Sequence, residues 1–252
     1  MFTHCAGLCQ GADVSAPGSC ERLKQLVLDT LLHMVGSCSV EQAGSDIVNV
    51  DIVVDCLRNT TNPQTHDSAL SLLAAVARTA PSRVLSAVLP VFTFVGSQLV
   101  RHDDSFSFNL ITRTVTAIVP AILSFSEGPA LAHHVLSVFA EAWPNIPAHR
   151  RIALYATLLQ ALGPAQYLAA ATALLLHTAV VDARHAEPSK SDSPSEAVGD
   201  FCLELAREFP VATQTMALLD LVRLLARSPA EPLPPKQKVT LGKLIMGSPL
   251  EC

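Results

Sequence analysis

The chain has 252 residues, 50% of them hydrophobic and only 15% charged, with a formal net charge of −5. Such a composition excludes a disordered polyelectrolyte and is sufficient to bury a large core, as one elongated domain or two compact ones. The 17 Lys and Arg residues are scattered, with only Arg150–Arg151 and Lys236, Lys238 and Lys243 close together, so no phosphate-binding stripe is present.

Aromatic residues make up 5% of the chain, and a core built mainly from Ala, Leu and Val favours close-packed helices. Residues 1–20 carry turn formers without an apolar period and read as a disordered tail. They lack the basic start and apolar run of a signal peptide, which argues against secretion. Glu21 opens a first predicted helix in which Leu23, Leu26, Val27, Thr30, Leu31 and Met34 fall at helical spacing, and Gly36 closes it after Val35. A second helix is expected from about Ser45 to Arg58. Asn62–Pro63 then reads as an N-cap followed by a first-turn proline, because Asn accepts from free amides and Pro has no amide to leave unpaired.

The helix begun at Pro63 continues to Thr79. A Thr79–Pro81 turn joins it to a second apolar pattern, Leu89-Pro90-Val91-Phe92-Thr93-Phe94-Val95-Gly96, which halts at Arg101-His102-Asp103-Asp104. Together these form a helical hairpin. Pro81 is expected to start the partner helix, and proline-led starts recur at Pro129, Pro164 and Pro210. Their spacings of 48, 35 and 46 residues have a mean of 43, within the roughly 40–47 residue period of HEAT and armadillo arrays. The predicted fold is therefore all-α, an α-solenoid of HEAT- or armadillo-like helical hairpins over residues 21–228. Pro90 and Pro120 fall inside apolar helical stretches, where each removes an intrahelical hydrogen bond and is expected to kink its helix. VFTFV is the single β-like window, and its flanks read as helix.

Residues 182–200, DARHAEPSKSDSPSEAVGD, change composition abruptly and read as a mobile loop. Serine phosphorylation is the alternative to a plain solvated insertion. Helices resume from Ala197 or Phe201 to Glu208 and from Val211 to Arg227. Pro229–Pro235 leads out of the array, and residues 229–252 read as a C-terminal tail bearing a short Lys-rich segment.

Two uncharged stretches raise a membrane reading, with spans near 84–100 and 152–181. Gly163–Pro164 divides the longer one, and Gln160, Gln166 and His177 interrupt it, so two buried core helices account for it better than the roughly 20-residue span a bilayer needs.

Local catalytic motifs are missing: no GxSxG, HExxH, GxGxxG or phosphate-loop pattern occurs. Seven cysteines (Cys5, Cys9, Cys20, Cys38, Cys56, Cys202 and Cys252) form an odd set without a CxxC pair, which suits a reducing compartment better than a disulfide framework. His4, Cys5, Cys9 and Cys20 match no zinc spacing. His133–His134 are adjacent, about 100° apart on a helix, and poorly placed to share one ion. Asp103–Asp104 read as caps for the following helix. Arg150–Arg151 sit at a helix start, where cations are slightly unfavourable, so an acidic neighbour competes with a plain solvated turn. No catalytic, cofactor-binding or metal-binding residue is assigned, and no cofactor is expected. A dispersed catalytic site would need a pocket pairing a shifted carboxylate with His133 or His177.

The block from Cys56 to Leu123 resembles the HEAT repeat-containing protein 1 family, the large nucleolar HEAT-repeat subunit of the small-subunit processome. Its signature is Asn62-Pro63-Gln64-Thr65-His66, then Pro90 to Gly96, then Asp103–Asp104 and Ser107–Phe108. Weaker similarity runs through Trp143 to Arg151 and Phe201 to Leu225, so residues 45–228 are covered. The resemblance implies a solenoid segment in the nucleolus, with no enzyme activity. It further implies a role in pre-18S ribosomal RNA processing and RNA polymerase I transcription, with processome proteins and a small nucleolar ribonucleoprotein as partners and only indirect association with pre-ribosomal RNA. Family members are far longer, so the chain reads as one portion of such a solenoid.

Overall fold

Punctuation by caps, prolines and one left-handed glycine sets the helix boundaries. The computed structural model describes residues 17–37, 48–185 and 194–227. Among these it has ten α-helices and no strand: α1 Pro17–Ser37, α2 Val50–Asn59, α3 Pro63–Thr79, α4 Leu85–Ser97, α5 Ser105–Leu123, α6 Gly128–Ala142, α7 Ala148–Leu162, α8 Pro164–His185, α9 Pro194–Arg207 and α10 Val211–Arg227. Three single 3-10 turns lie at Pro81–Arg83, Leu99–Arg101 and Trp143–Asn145.

Odd-numbered helices pack in one layer, α1 on α3, α3 on α5, α5 on α7 and α7 on α9. Even-numbered helices pack in a second, α2 on α4 and onward through α6 and α8 to α10. Each helix thus meets its equivalents one repeat away, which is the arrangement of an α-solenoid. The odd-layer helices begin at residues 17, 63, 105, 148 and 194, at intervals of 42 to 46. The four proline-led starts at Pro81, Pro129, Pro164 and Pro210 belong to the even layer, which is the less evenly spaced one, whereas Pro63 opens the odd-layer α3. Pro129 and Pro164 lie in the first turns of α6 and α8, and Pro210 immediately precedes α10. Pro81 differs: it opens a 3-10 turn, and α4 begins only at Leu85.

Local rules explain most boundaries. Asn62 Oδ1 accepts from the amides of Gln64 (2.9 Å) and Thr65 (3.3 Å), with Pro63 beside it, as expected. Asn49 caps α2 in the same manner. Gly163 ends α7 at φ 100°, a left-handed conformation that glycine adopts without a Cβ penalty. Gly128 is fixed by space, since a Cβ there would lie 2.6 Å from the Ile122 carbonyl oxygen. Pro90 and Pro120 lie inside α4 and α5. The carbonyls they deprive of a donor belong to Ser86 and Thr116, both at exposed positions.

The core is a continuous aliphatic seam between the layers, with Phe92, Phe139, Tyr155 and Tyr167 as its largest buried rings. Phe92 meets Phe139 edge-on at 6.1 Å and Phe94 meets His66 at 4.9 Å, so the VFTFV window is helix α4 and a packing element. The first helix differs from the sequence pattern. It starts at Pro17, and its sealed positions are Leu28 and Val35, while Leu23, Leu26 and Met34 are exposed.

Neither stretch behind the alternative membrane reading is a single element. The 84–100 stretch is split between the 13-residue α4 and a 3-10 turn, and 152–181 is broken at Gly163. Two helical segments, Ser105–Leu123 and Pro164–Val181, are long and apolar enough to cross a bilayer. Both are packed as layer members, α5 between α3 and α7 and α8 between α6 and α10. Both ends of the predicted loop at 182–200 are helical instead, because α8 runs to His185 and α9 begins at Pro194. The expected N-terminal tail up to residue 16, the core of that loop at 186–193 and the tail at 229–252 lie outside the described residues.

Candidate interaction surface

Several titratable groups among the described residues are tied to neighbouring elements by hydrogen bonds and ion pairs. At the α1 end, Glu21 accepts from Lys24 Nζ (2.6 Å) and from the hydroxyls of Thr60 and Thr65 (2.9 Å each). Gln25 Nε2 donates to Thr65 Oγ1 at 3.0 Å. Burial works to raise the Glu21 pKa, but these bonds outweigh it and hold the carboxyl below its usual value. His66 donates from Nε2 to the Thr60 carbonyl at 2.9 Å. Desolvation lowers its pKa, so the ring is held neutral as a structural donor.

Asp103 and Asp104 have different jobs. Asp104 caps α5, accepting from Ser107 N and Oγ at 2.7 Å each, and these bonds lower its pKa. Asp103 instead reaches 47 residues along the chain to accept from Arg150 Nε at 2.7 Å, with His149 Nε2 at 3.2 Å. It is the acidic neighbour that competed with a solvated turn in the sequence reading. Arg150 also lies over the Phe108 ring at 5.1 Å. Arg151 turns the other way, stacking on Trp143 at 3.9 Å and donating to the Ile146 carbonyl at 2.9 Å. The pair therefore clamps the α5–α7 packing and the 3-10 turn.

His133 and His134 diverge as adjacent helical residues must: His134 is exposed, and His133 is half-buried edge-on to Tyr167 at 5.6 Å. Burial lowers the His133 pKa. His177 is half-buried on α8, and neither groove described below is lined by His133 or His177. Cys202 is buried, with its thiol pushed up to about 12 by desolvation, which leaves it protonated and unreactive at neutral pH. Among the described residues, Cys56 and Cys202 are free thiols. Among the described residues no group of three or more His, Cys, Asp or Glu is placed to hold a metal ion. His4, Cys5 and Cys9 lie outside them.

Two grooves lie open among the described residues. One, of about 460 Å³, lies on the odd layer between α3 and α5, where Arg113 donates to Asp67 Oδ1 (3.3 Å) and Ser71 Oγ (2.9 Å). The other, of about 450 Å³, lies between α8, α9 and α10 and is predominantly apolar. Sequence reading identified α10 but not its open face. The available signal was the apolar recurrence at Val211, Leu218, Val222 and Leu225 on a helix that also buries little besides Ala217.

With this geometry in place, comparison with known proteins adds the following. A family described as HEATR1-like, HEAT repeats, matches residues 130–246. HEAT repeat-containing protein 1 of Danio rerio is 32% identical over 237 residues, covering 86% of this chain and 11% of that protein. The Homo sapiens protein of the same name is 32% identical over 231 residues, with 85% and 11% coverage. U3 small nucleolar RNA-associated protein 10 of Schizosaccharomyces pombe is 36% identical over 193 residues, with 75% and 11% coverage. The chain thus spans about a tenth of the length of these curated relatives.

Proposed function

Because the chain belongs to the HEATR1-like family of HEAT-repeat proteins, we propose that it is a non-enzymatic scaffold for nucleolar ribosome biogenesis, working within the small-subunit processome. The observation that carries this reading is the 36% identity, over 75% of the chain, to a protein named for association with U3 small nucleolar RNA. A stacked array supports it, because repeat layers expose long surfaces for proteins while lacking the convergent groups that chemistry requires. In this reading the chain binds processome proteins and a small nucleolar ribonucleoprotein, and supports pre-18S ribosomal RNA processing and RNA polymerase I transcription.

Contact with pre-ribosomal RNA is indirect. The net charge is −5 and the 17 Lys and Arg residues are scattered, while Arg113, Arg150 and Arg223 are each paired with an aspartate, an arrangement unlike the continuous basic stripe that displaces counterions from a phosphate backbone. Tagging the chain and reading location together with co-purifying RNA and protein tests the proposal. Nucleolar signal with small nucleolar RNA and processome proteins is expected. Diffuse signal, with neither class recovered, overturns it.

A further inference from the structure

The open end of the array exposes a face that every other repeat covers. On α10, Val211, Leu218, Val222 and Leu225 share one stripe and are 58–75% exposed. Beside them, Leu203 of α9 is 64% exposed, and the groove between the two helices is lined by Asp200, Leu203, Ala206, Leu218 and Leu221. Elsewhere α1, α3, α5 and α7 are each covered by the next odd-layer helix, whereas α9 has no described successor.

Five observations bear on what completes it. Continuing the 42 to 46 residue interval from Pro194 places the next odd-layer start at residues 236–240. Lys236 follows Pro234–Pro235, and Leu241, Leu244 and Ile245 then recur at i, i+3 and i+4. The family match continues to residue 246, beyond the end of α10 at Arg227. Charge is complementary, with Lys236, Lys238 and Lys243 on the segment and Asp200 and Glu204 exposed on α9. The connection of residues 228–235 can extend about 26 Å, close to the length of α10 at about 1.5 Å per residue, so the segment reaches any point along the groove.

We propose that Lys236–Met246 seats in the groove between α9 and α10 as the sixth odd-layer element, with Leu241, Leu244 and Ile245 covering Leu203 and Leu218 and the lysines facing Asp200 and Glu204. The proposal takes 236–246 out of the expected tail at 229–252, and it holds whether or not the nucleolar function does. The test is hydrogen–deuterium exchange on the intact 252-residue chain, at concentrations where light scattering reports a monomer. Peptides from 236–246 and 211–226 are expected to be protected together, and Leu244→Asp with Ile245→Asp is expected to speed exchange in both about tenfold while α3–α6 stay unchanged. Asp200→Lys is expected to loosen the same two segments, and Lys243→Glu added to it to restore them, which provides a readout even where the double aspartate variant fails to fold. Free-peptide exchange rates in 236–246, no restoration by the charge swap, or protection that appears only when the chain dimerises would each overturn the proposal. The last outcome would assign the groove to a second copy.

Discussion

Tyr155 is, with Tyr167, the largest fully buried side chain among the described residues, and its hydroxyl donates to the Phe139 carbonyl at 2.7 Å across the α6–α7 packing. Its ring also lies edge-on to Phe201 at 5.3 Å. Tyr155→Phe preserves the ring contact and removes only the hydrogen bond. Loss of a buried bond of this kind costs about 1–2 kcal/mol, so the urea midpoint should fall with an unchanged slope. An unaltered midpoint would mean that the carbonyl is satisfied within its own helix. Sequence inspection gave no hint of this pairing, since residues 16 apart meet here only because α6 and α7 turn back on one another at Trp143–Asn145. Asp104 is the opposite case. Its cap bond closes within three residues, a range at which residue type and spacing suffice.

Between elements, the described glycine with least room for a side chain is Gly128, at the α5–α6 turn. A Cβ on Gly128 would meet the Ile122 carbonyl oxygen at 2.6 Å and Leu123 Cα at 3.1 Å, both backbone atoms that cannot rotate away. Gly128→Ala is therefore expected to destabilise by about 1–3 kcal/mol, the range for forced overpacking. Gly199 inside α9 has nothing within 4 Å of its ideal Cβ, so Gly199→Ala should instead stabilise by about 0.5–1 kcal/mol through helix propensity. Thermal melts of the two variants should move in opposite directions, and equal shifts would refute the steric argument. The proline at position 129 made this boundary legible. The need for glycine beside it was not, because it arises from the path of the backbone one turn earlier.

The array as a whole should weaken in mild acid. His66 and His133 both have pKa values pushed below the usual imidazole value of about 6.5, chiefly by desolvation, with His102 adding to the effect at His66. A depressed folded-state pKa means that the unfolded chain binds more protons, so this stability is fully present above the unfolded value and is lost as pH falls through the folded values. Urea midpoints should be level from pH 8 to 7 and decline below 6.5, and His66→Gln with His133→Phe should flatten the decline. Glu21 adds a further loss below the ordinary glutamate range, because its folded pKa is also lowered. An unchanged profile in the histidine variant would assign the acid sensitivity elsewhere.

The sequence by itself determined the all-α class, the repeat length, the Asn62 and Asp104 caps, the break at Gly163 and the family, because each rests on signals that act within a few residues or recur with the period. Tertiary structure alone decided which faces are sealed. Leu28 is buried while Leu23 and Leu26 are exposed on the same helix, Arg150 finds Asp103 across a full repeat, and α10 shows an apolar stripe outward. Helical periodicity states that a face is apolar. Whether a helix about 40 residues away covers it depends on how the two layers stack.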